Sequence, residues 1–463
     1  MSVNRFFKFG AEEAWEGAFE PRSVYAVVDE VEPGALGDEY AEITFGFVDQ
    51  DQLDEAVEGA EALFWWSEVP RLAVGRLEIN RKRDQAFGQA IDDFEGGERV
   101  IFEMVLGDSV ASTLQIQHFS ALTADPAPQS IMDYKRVRGR KASELAEKFN
   151  LKGVPDASES EIRDLLEGAA SEVELGVLFD VGQGSAAALL DGSGSPKVYF
   201  DYGAGVLGNQ RTYPRHNRPL CTLETELVIL SHWDWDHWAN ALRDRDRHVF
   251  GCRWLAPRDD TIGPIHMALA AQLRGLKFWP KSLPALKLGE ISIHQCTGKS
   301  RNDAGLAVTW HPSDMRDGGV LFPGDCDYGH LPKSLQEKSF HGLVASHHGA
   351  AGKTKAKAPA PIDPEVCRWY VSAGTGNSYG HPTAAGYRQH TGAGWASKRR
   401  RETIDRGTAF CSRLNGRWIG WPHGISGDKV FWSRHGGSRP PFIFVDPCEP
   451  DECVRIFLDD AWA

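Results

Sequence analysis

The chain has 463 residues, 41% hydrophobic and 25% charged, the balance of a soluble globular protein with length for two or three domains. Its formal net charge of −14 argues against a protein that only coats nucleic acid, yet allows an enzyme acting on phosphodiesters through a local positive surface. No apolar run approaches the ~20 residues needed to cross a bilayer, and Met1-Ser2-Val3-Asn4-Arg5-Phe6-Phe7-Lys8 leads into acidic sequence rather than the apolar heart of a secretory signal. The expectation is a cytoplasmic protein without a membrane partner. None of the eight cysteines precedes Cys221 and no C-x-x-C pair occurs, so reduced thiols are expected rather than a zinc ribbon.

Residues 1–170 are expected to form a separate α+β domain. Strand patterns run over Ser23–Val28, Glu42–Phe47, Leu72–Leu77, Arg99–Leu106 and Thr113–His118. Helical patterns run over Gln52–Leu63, Arg81–Phe94, Ser143–Phe149 and Ser160–Val173, the last opened by a capping Ser158-Glu159-Ser160-Glu161. Nothing in this region has catalytic spacing. It is a candidate for regulation or for a protein partner. The basic segment 134–152, with Lys135, Arg136, Arg138, Arg140 and Lys141, reads as a linker, a helix, a nucleic-acid contact or a protease-sensitive site, the bland reading of its charges being a solvated face.

Residues 171–425 change texture: short apolar runs alternate with Gly- and Asp-rich loops, as in sheets that carry a site on their loop edge. One helical stretch is expected between Thr261 and Leu276. Residues 426–463 are expected to be a C-terminal extension packed on this domain, with strands at Lys429–Trp432 and Pro441–Val445. A second basic cluster is Lys398-Arg399-Arg400-Arg401, with Arg406 and Arg413 nearby.

The densest chemistry lies in Ser231-His232-Trp233-Asp234-Trp235-Asp236-His237-Trp238, directly after the apolar run Leu227–Leu230. That run reads as a buried strand, so four metal-competent side chains sit on the loop at its C-terminal end. Mixed N and O donors at i, i+2, i+4 and i+5 suit two adjacent divalent ions better than one. The bland alternative is a polar, Trp-rich loop with solvated histidines. The tryptophans themselves read as packing rather than as base-stacking platforms. Further strand ends follow the same pattern: Asp180-Val181-Gly182-Gln183-Gly184, Asp201-Tyr202-Gly203, Asn302-Asp303-Ala304-Gly305, Gly324-Asp325, His347-His348-Gly349 and Asn377-Ser378-Tyr379-Gly380-His381-Pro382.

The motifs D-V-G-Q-G, S-H-x-D-x-D-H, G-D, H-H-G and N-x-Y-G-H-P, in this order over about 176–385, resemble those of the metallo-β-lactamase superfamily. The resemblance is to the branch that includes the soluble domain of ComEC-type competence proteins. It implies an αββα sandwich with a dinuclear site on one edge. His232 and Asp234 are then expected on one ion, Asp236, His237 and His347 on the other, with Asp325 bridging both. His348 is the alternative to His347, since adjacent residues at a strand end point opposite ways, and otherwise contacts substrate. Asn377 and His381 are expected to touch a substrate phosphate. Asp180, Asp201 and Asp303 are expected to orient ligands from behind.

Asp234 departs from the superfamily's commoner histidine, and the usual separate histidine before Gly-Asp is not evident. Asn302, Asp303, His294, His311 and water are candidates for that slot. So carboxylate-rich a set leaves Mn2+ as plausible as Zn2+. The catalytic set is Asp236, His237, Asp325 and His381, and the implied reaction is hydrolysis by a metal-activated hydroxide. DNA is the leading substrate. A small phosphodiester or other ester is the alternative within this class. A metal-stabilised binding module without catalysis is the alternative outside it.

Overall fold

Alternating and fully apolar runs of Val, Ile, Leu and Phe dominate the strands of the structure, a computed structural model. It describes residues 22–33, 39–56, 63, 65–66, 72–107, 114–118, 127–170, 173–179, 181–191, 195–205, 220–243, 248–312, 318–364, 367–374 and 379–395, plus five later strand backbones. The architecture is mixed α/β, with several sheets and fewer helices. The chain divides into two compact units, one of Met1–Pro155 with Asp259–Arg274, the other of Asp156–Arg258 with Gly275–Ala463. The boundary expected at 170 thus falls inside the second unit, and 259–274 counts with the first.

In the first unit six antiparallel strands close a barrel in the order β1-β2-β3-β5-β6-β4. They are β1 (Arg22–Pro33), β2 (Tyr40–Asp49), β3 (Leu72–Asn80), β4 (Ile101–Gly107), β5 (Leu114–His118) and β6 (Ala127–Arg136). On β2 the alternate residues Ala41, Ile43, Phe45 and Phe47 join the core. The helix Gln85–Glu95 adds Phe87, Ala90 and Ile91, an i, i+3, i+4 set on one face. Phe45 meets Phe87 and Phe102 edge-on, each at 6.2 Å between ring centroids.

The basic segment that follows is part of this unit rather than a linker. It ends β6 and enters the helix Gly139–Lys148. Arg136 pairs with Asp93, Arg140 with Glu144 and Lys141 with Glu103, so these cations are matched by carboxylates of the same unit.

The second unit holds two large sheets. The first has the order β12-β11-β10-β9-β8-β7-β21, from β7 (Val173–Leu178), β8 (Ala186–Asp191), β9 (Pro196–Tyr202), β10 (Leu227–Ile229), β11 (Arg253–Pro257), β12 (Gly275–Trp279) and β21 (Lys429–Ser433). The other runs in sequence order through β13 (Ala285–Leu288), β14 (Ile291–Gln295), β15 (Leu306–Trp310), β16 (Val320–Phe322), β17 (Gly342–Val344), β18 (Arg368–Val371), β19 (Ala409–Leu414) and β20 (Arg417–Ile419). Strand β21 pairs antiparallel with β7. One apolar core takes residues from both sheets: Leu189, Phe200 and Ile229 from one, Val308, Phe322 and Val344 from the other, with Ile162 and Leu166 of the helix Glu159–Ala170. Phe200 and Phe322 meet edge-on at 5.7 Å.

Strands β9 to β12 run parallel, as do β16 to β18. Parallel strands gather the loops at their C-terminal ends along one edge, where sheets of this kind present functional residues. Among the described residues no helix is long and apolar enough to cross a membrane.

Candidate metal centre

Five loops leaving strand ends of the second unit supply the centre. Ser231 to Trp238 follow β10, Gly324 and Asp325 follow β16, Ser346 to Gly349 follow β17, Ser372 follows β18, and Asp201 lies near the end of β9. Two buried triads have ligand atoms mutually within 4.8 Å: His232, His237 and Asp325, and Asp236, His237 and His348. These clusters are able to hold metal ions.

The histidine hydrogen bonds make the fit specific. His237 donates from Nδ1 to Asp201 at 2.7 Å, His232 Nδ1 meets Ser231 Oγ at 2.9 Å, and His348 Nδ1 donates to the Ser372 carbonyl at 2.9 Å. Each Nδ1 is thus engaged, and each buried Nε2 is left without a hydrogen-bond partner. Those Nε2 atoms face carboxylate oxygens: His232 to Asp234 at 3.1 Å, His237 to Asp325 at 3.1 Å, and His348 to Asp236 at 3.0 Å. A lone pair facing a carboxylate at that distance is repulsive unless a proton or a cation lies between them. An imidazole held through one nitrogen, with the other aimed at carboxylates, is the arrangement metal ligands adopt.

The electrostatics show the same demand for positive charge. Burial disfavours a charged His237, but Asp325, Asp201 and Asp236 outweigh it and raise its pKa well above the usual histidine value. Burial opposes charge on Asp325 too, yet His237, His348 and His347 hold its carboxyl well below the usual range. For Asp234, burial is overcome by His232 and then by the Arg301 guanidinium, and its pKa falls. His348 is raised by Asp325 and Asp236 against its own burial.

Backbone geometry is spent on these positions. Among the described residues only Asp201 (φ 59°), His347 (φ 46°) and His348 (φ 52°) are non-glycine residues with positive φ. Such strain costs about 1–3 kcal/mol per residue and concentrates at functional sites. Gly203 is required by a close approach: a Cβ there would stand 1.7 Å from the carbonyl oxygen of Asp236. The glycine turns at 182–184 and 203–205 therefore seat the ligand loop, and Ser185 N–H donates to that same carbonyl at 3.1 Å.

The left-handed hairpin settles which neighbouring histidine faces the triads. His348 is buried, 3.0 Å from Asp236 and 3.5 Å from Asp325. The His347 side chain is 33% exposed and no nearer to Asp325 than 3.9 Å. His348, the alternative to His347, is therefore the histidine that joins the buried triad, while His347 is the more exposed of the two. His381 lies beside the pair, 6.1 Å from the His348 ring and 5.4 Å from that of His347. Its Nδ1 meets Gln183 Nε2 at 3.0 Å, both residues being buried.

Other expected residues stand elsewhere. Asp303 touches no triad side chain: it accepts from Ser300 Oγ at 2.7 Å within its own turn and from the N–H of Asp327, two residues after Asp325, at 2.9 Å. His294 and His311 join neither triad. Trp233, Trp235 and Trp238 are all buried, as packing requires, and Trp233 Nε1 donates to the Pro257 carbonyl at 2.8 Å. Asp180, Asn377, Lys398–Arg401 and Arg406 lie outside the described residues.

Sequence reasoning missed Arg301. Its buried guanidinium donates to Asp234 Oδ1 at 3.1 Å, from a loop tied to the ligand loop by the Leu306 N–H to Ser231 carbonyl bond at 2.8 Å. It also missed Ser231 and Ser372, which have no signature beyond their place beside a ligand or at a strand end. Tyr328 and His390 form a further support. Tyr328 Oη donates to His390 Nε2 at 2.7 Å and accepts Ser346 N–H at 3.1 Å, which fixes the start of the histidine hairpin.

Matched against protein-family models the chain finds none, and matched against curated proteins it finds no relative.

Asp201→Asn removes the charge behind His237 with little change of shape. Mn2+ affinity by titration calorimetry is expected to fall about 10–100-fold with the fold intact by circular dichroism; unchanged affinity would show that Asp201 does not orient the ligand.

His390 supplies a signed pH prediction. Burial lowers its pKa to about 4, so the folded ring refuses a proton that the unfolded ring takes up below about 6.5. Its contribution to stability is complete above pH 6.5 and is lost as pH falls towards 4, on the order of 3 kcal/mol in total. Denaturant unfolding at pH 7 and pH 4.5 should show a smaller loss for His390→Gln, which keeps an acceptor for Tyr328. Equal losses would remove His390 from the acid sensitivity.

Proposed function

We propose that this chain is a metal-dependent hydrolase of phosphodiester bonds with a metallo-β-lactamase-like αββα sandwich, and that DNA is its substrate. The single observation carrying the reading is the convergence of three buried histidines, each with Nδ1 engaged and Nε2 unpaired, on Asp234, Asp236 and Asp325. Two sheets sharing one core, with these residues on loops at strand ends, support the fold assignment. So do the ordered motifs of the sequence.

A divalent cation held here, Mn2+ or Zn2+, would supply Lewis acidity that lowers the pKa of water and offsets charge on phosphoryl oxygens. The chain's own residues do the rest. Asp236, His237, His348 and Asp325 would hold the cation, and Asp201 keeps the His237 proton on Nδ1. Asp325, lying between His237 and His348, is placed to accept the proton of the attacking water. His381, with Gln183 donating to its Nδ1, keeps its proton on Nε2 and offers it to a phosphoryl or leaving-group oxygen.

A small phosphodiester is the second reading, favoured by the pairing of Arg136, Arg140 and Lys141 with carboxylates, which removes much of the free positive surface a polynucleotide would use. The test incubates purified protein with Mn2+ or Zn2+ and either linear DNA, single-stranded DNA or a chromogenic phosphodiester. Chelator-sensitive cleavage is expected, reduced about 100-fold or more in Asp325→Ala and His237→Ala. Cleavage of the small ester alone would decide for the second reading. No turnover of any of the three would defeat both.

A further inference from the structure

The two triads share a residue that is able to serve only one of them. His237 appears in both, but its Nδ1 is committed to Asp201 at 2.7 Å, which leaves Nε2 as its one ligand atom. One imidazole nitrogen binds one ion. A cation on Asp236, His237 and His348 also has Asp325 at hand, 3.1 Å from His237 Nε2 and 3.5 Å from His348 Nε2, and so commands four protein donors. Four protein donors leave water positions on a six-coordinate ion such as Mn2+, and on a four-coordinate Zn2+ leave one only if Asp325 gives way.

What remains for a second ion is His232, Asp234 and whatever oxygen Asp325 can spare. Asp234 is half engaged: Oδ1 receives the Arg301 guanidinium at 3.1 Å, while Oδ2 faces His232 Nε2 at 3.1 Å. The side chains of Arg301 and Asp234 are 3% and 8% exposed, so solvent does little to screen the guanidinium from that side of the centre. Arginine keeps its charge at every relevant pH. It therefore sets a permanent like charge across one carboxylate from any cation placed between His232 and Asp234 Oδ2, and already neutralises the charge of that carboxylate.

We propose that the centre holds one divalent cation, on Asp236, His237, His348 and Asp325, and that Arg301 supplies the second positive charge against Asp234. This rests on the metal-dependent reading above and replaces the expectation of two ions. The sequence around Arg301 makes the substitution coherent: the neighbouring residues Asn302 and Asp303, candidates for an absent ligand, are passed over, and the loop delivers a cation of its own instead.

The test counts ions without relying on turnover. Full-length protein is dialysed to equilibrium against Mn2+, and bound metal is measured by elemental analysis beside the electron paramagnetic resonance spectrum. One Mn2+ per chain with the six-line signal of an isolated ion is expected for the native protein and for Arg301→Lys. Arg301→Met, which removes the charge and keeps the bulk, is expected to bind two and to show the broadened signal of a coupled pair. Two ions of similar affinity in the native protein would overturn the inference while leaving a metal-dependent hydrolase standing. No bound Mn2+ would defeat the metal-dependent reading itself, and the inference with it. A single ion in Arg301→Met would clear Arg301 of the role. If that variant does not fold, the native and Arg301→Lys counts still decide between one ion and two.

Discussion

Asp201 accepts three hydrogen bonds and has no solvent exposure, and the rest of the centre is arranged around it. Oδ1 takes the Ser231 N–H at 2.7 Å, and Oδ2 takes the Ser231 hydroxyl at 2.9 Å and His237 Nδ1–H at 2.7 Å. A buried carboxylate is costly unless its lone pairs are met by strong donors. Here the donors belong to the first residue and the fifth side chain after His232 of the ligand loop, so the requirement of Asp201 sets that loop's conformation. Ser231 passes the constraint on to His232 through its hydroxyl at 2.9 Å. One acid thereby sets the ring orientation of two histidines of the triads, and its own backbone is left-handed.

The backbone strain and the glycines belong to the same arrangement. A ligand loop can be pressed onto its neighbours only where they carry no side chain, and Gly203 beneath the Asp236 carbonyl provides that. Gly324, at φ +58°, turns the chain between β16 and Asp325, and its Cβ would meet Ser231. The left-handed pair His347 and His348 then sends one imidazole inward and leaves its neighbour partly exposed. The left-handed conformations of Asp201, His347 and His348 are unfavourable on their own. Their coincidence at loops that share ligands, rather than at scattered surface turns, is what separates a site from ordinary irregular structure.

Pattern reading finds these loops because each one follows a short apolar strand and breaks on glycine or a charged residue, a signal local in sequence. Strands β10, β15, β16 and β18 are visible in that way. The exchange of His347 for His348 is not, because strand alternation does not extend through a left-handed turn. Arg301 is invisible for a different reason: its meaning lies in an ion pair with Asp234, sixty-seven residues earlier in the chain, and no local pattern encodes a pairing over that separation. In the first unit β6 is masked by a run of exposed residues from Met132 to Lys135, which reads as a polar connector until its pairing with β4 and β5 closes the barrel. Charge along a strand's outer face carries little information about whether its backbone is paired.

The cluster also bears on how folding and ligand binding are joined. Without a cation, the unpaired Nε2 atoms and their carboxylates are reconciled by protons, which is why the pKa of His237 rises while that of Asp325 falls. A proton serves one such contact at a time, whereas a divalent cation serves several at once from a single position. The loops leaving β16 and β17 are tied directly, Ser346 Oγ donating to the Cys326 carbonyl at 2.7 Å, and the unpaired Nε2 atoms add a demand for positive charge at the point where the side chains meet. The surrounding support, from Tyr328 and His390 behind Ser346 to Ser372 behind His348, is satisfied by ordinary hydrogen bonds in full. These supports are met by hydrogen bonds, whereas the Nε2 atoms of His232, His237 and His348 at the middle stand without one, which is where a ligand that stabilises the folded chain would gain most from binding.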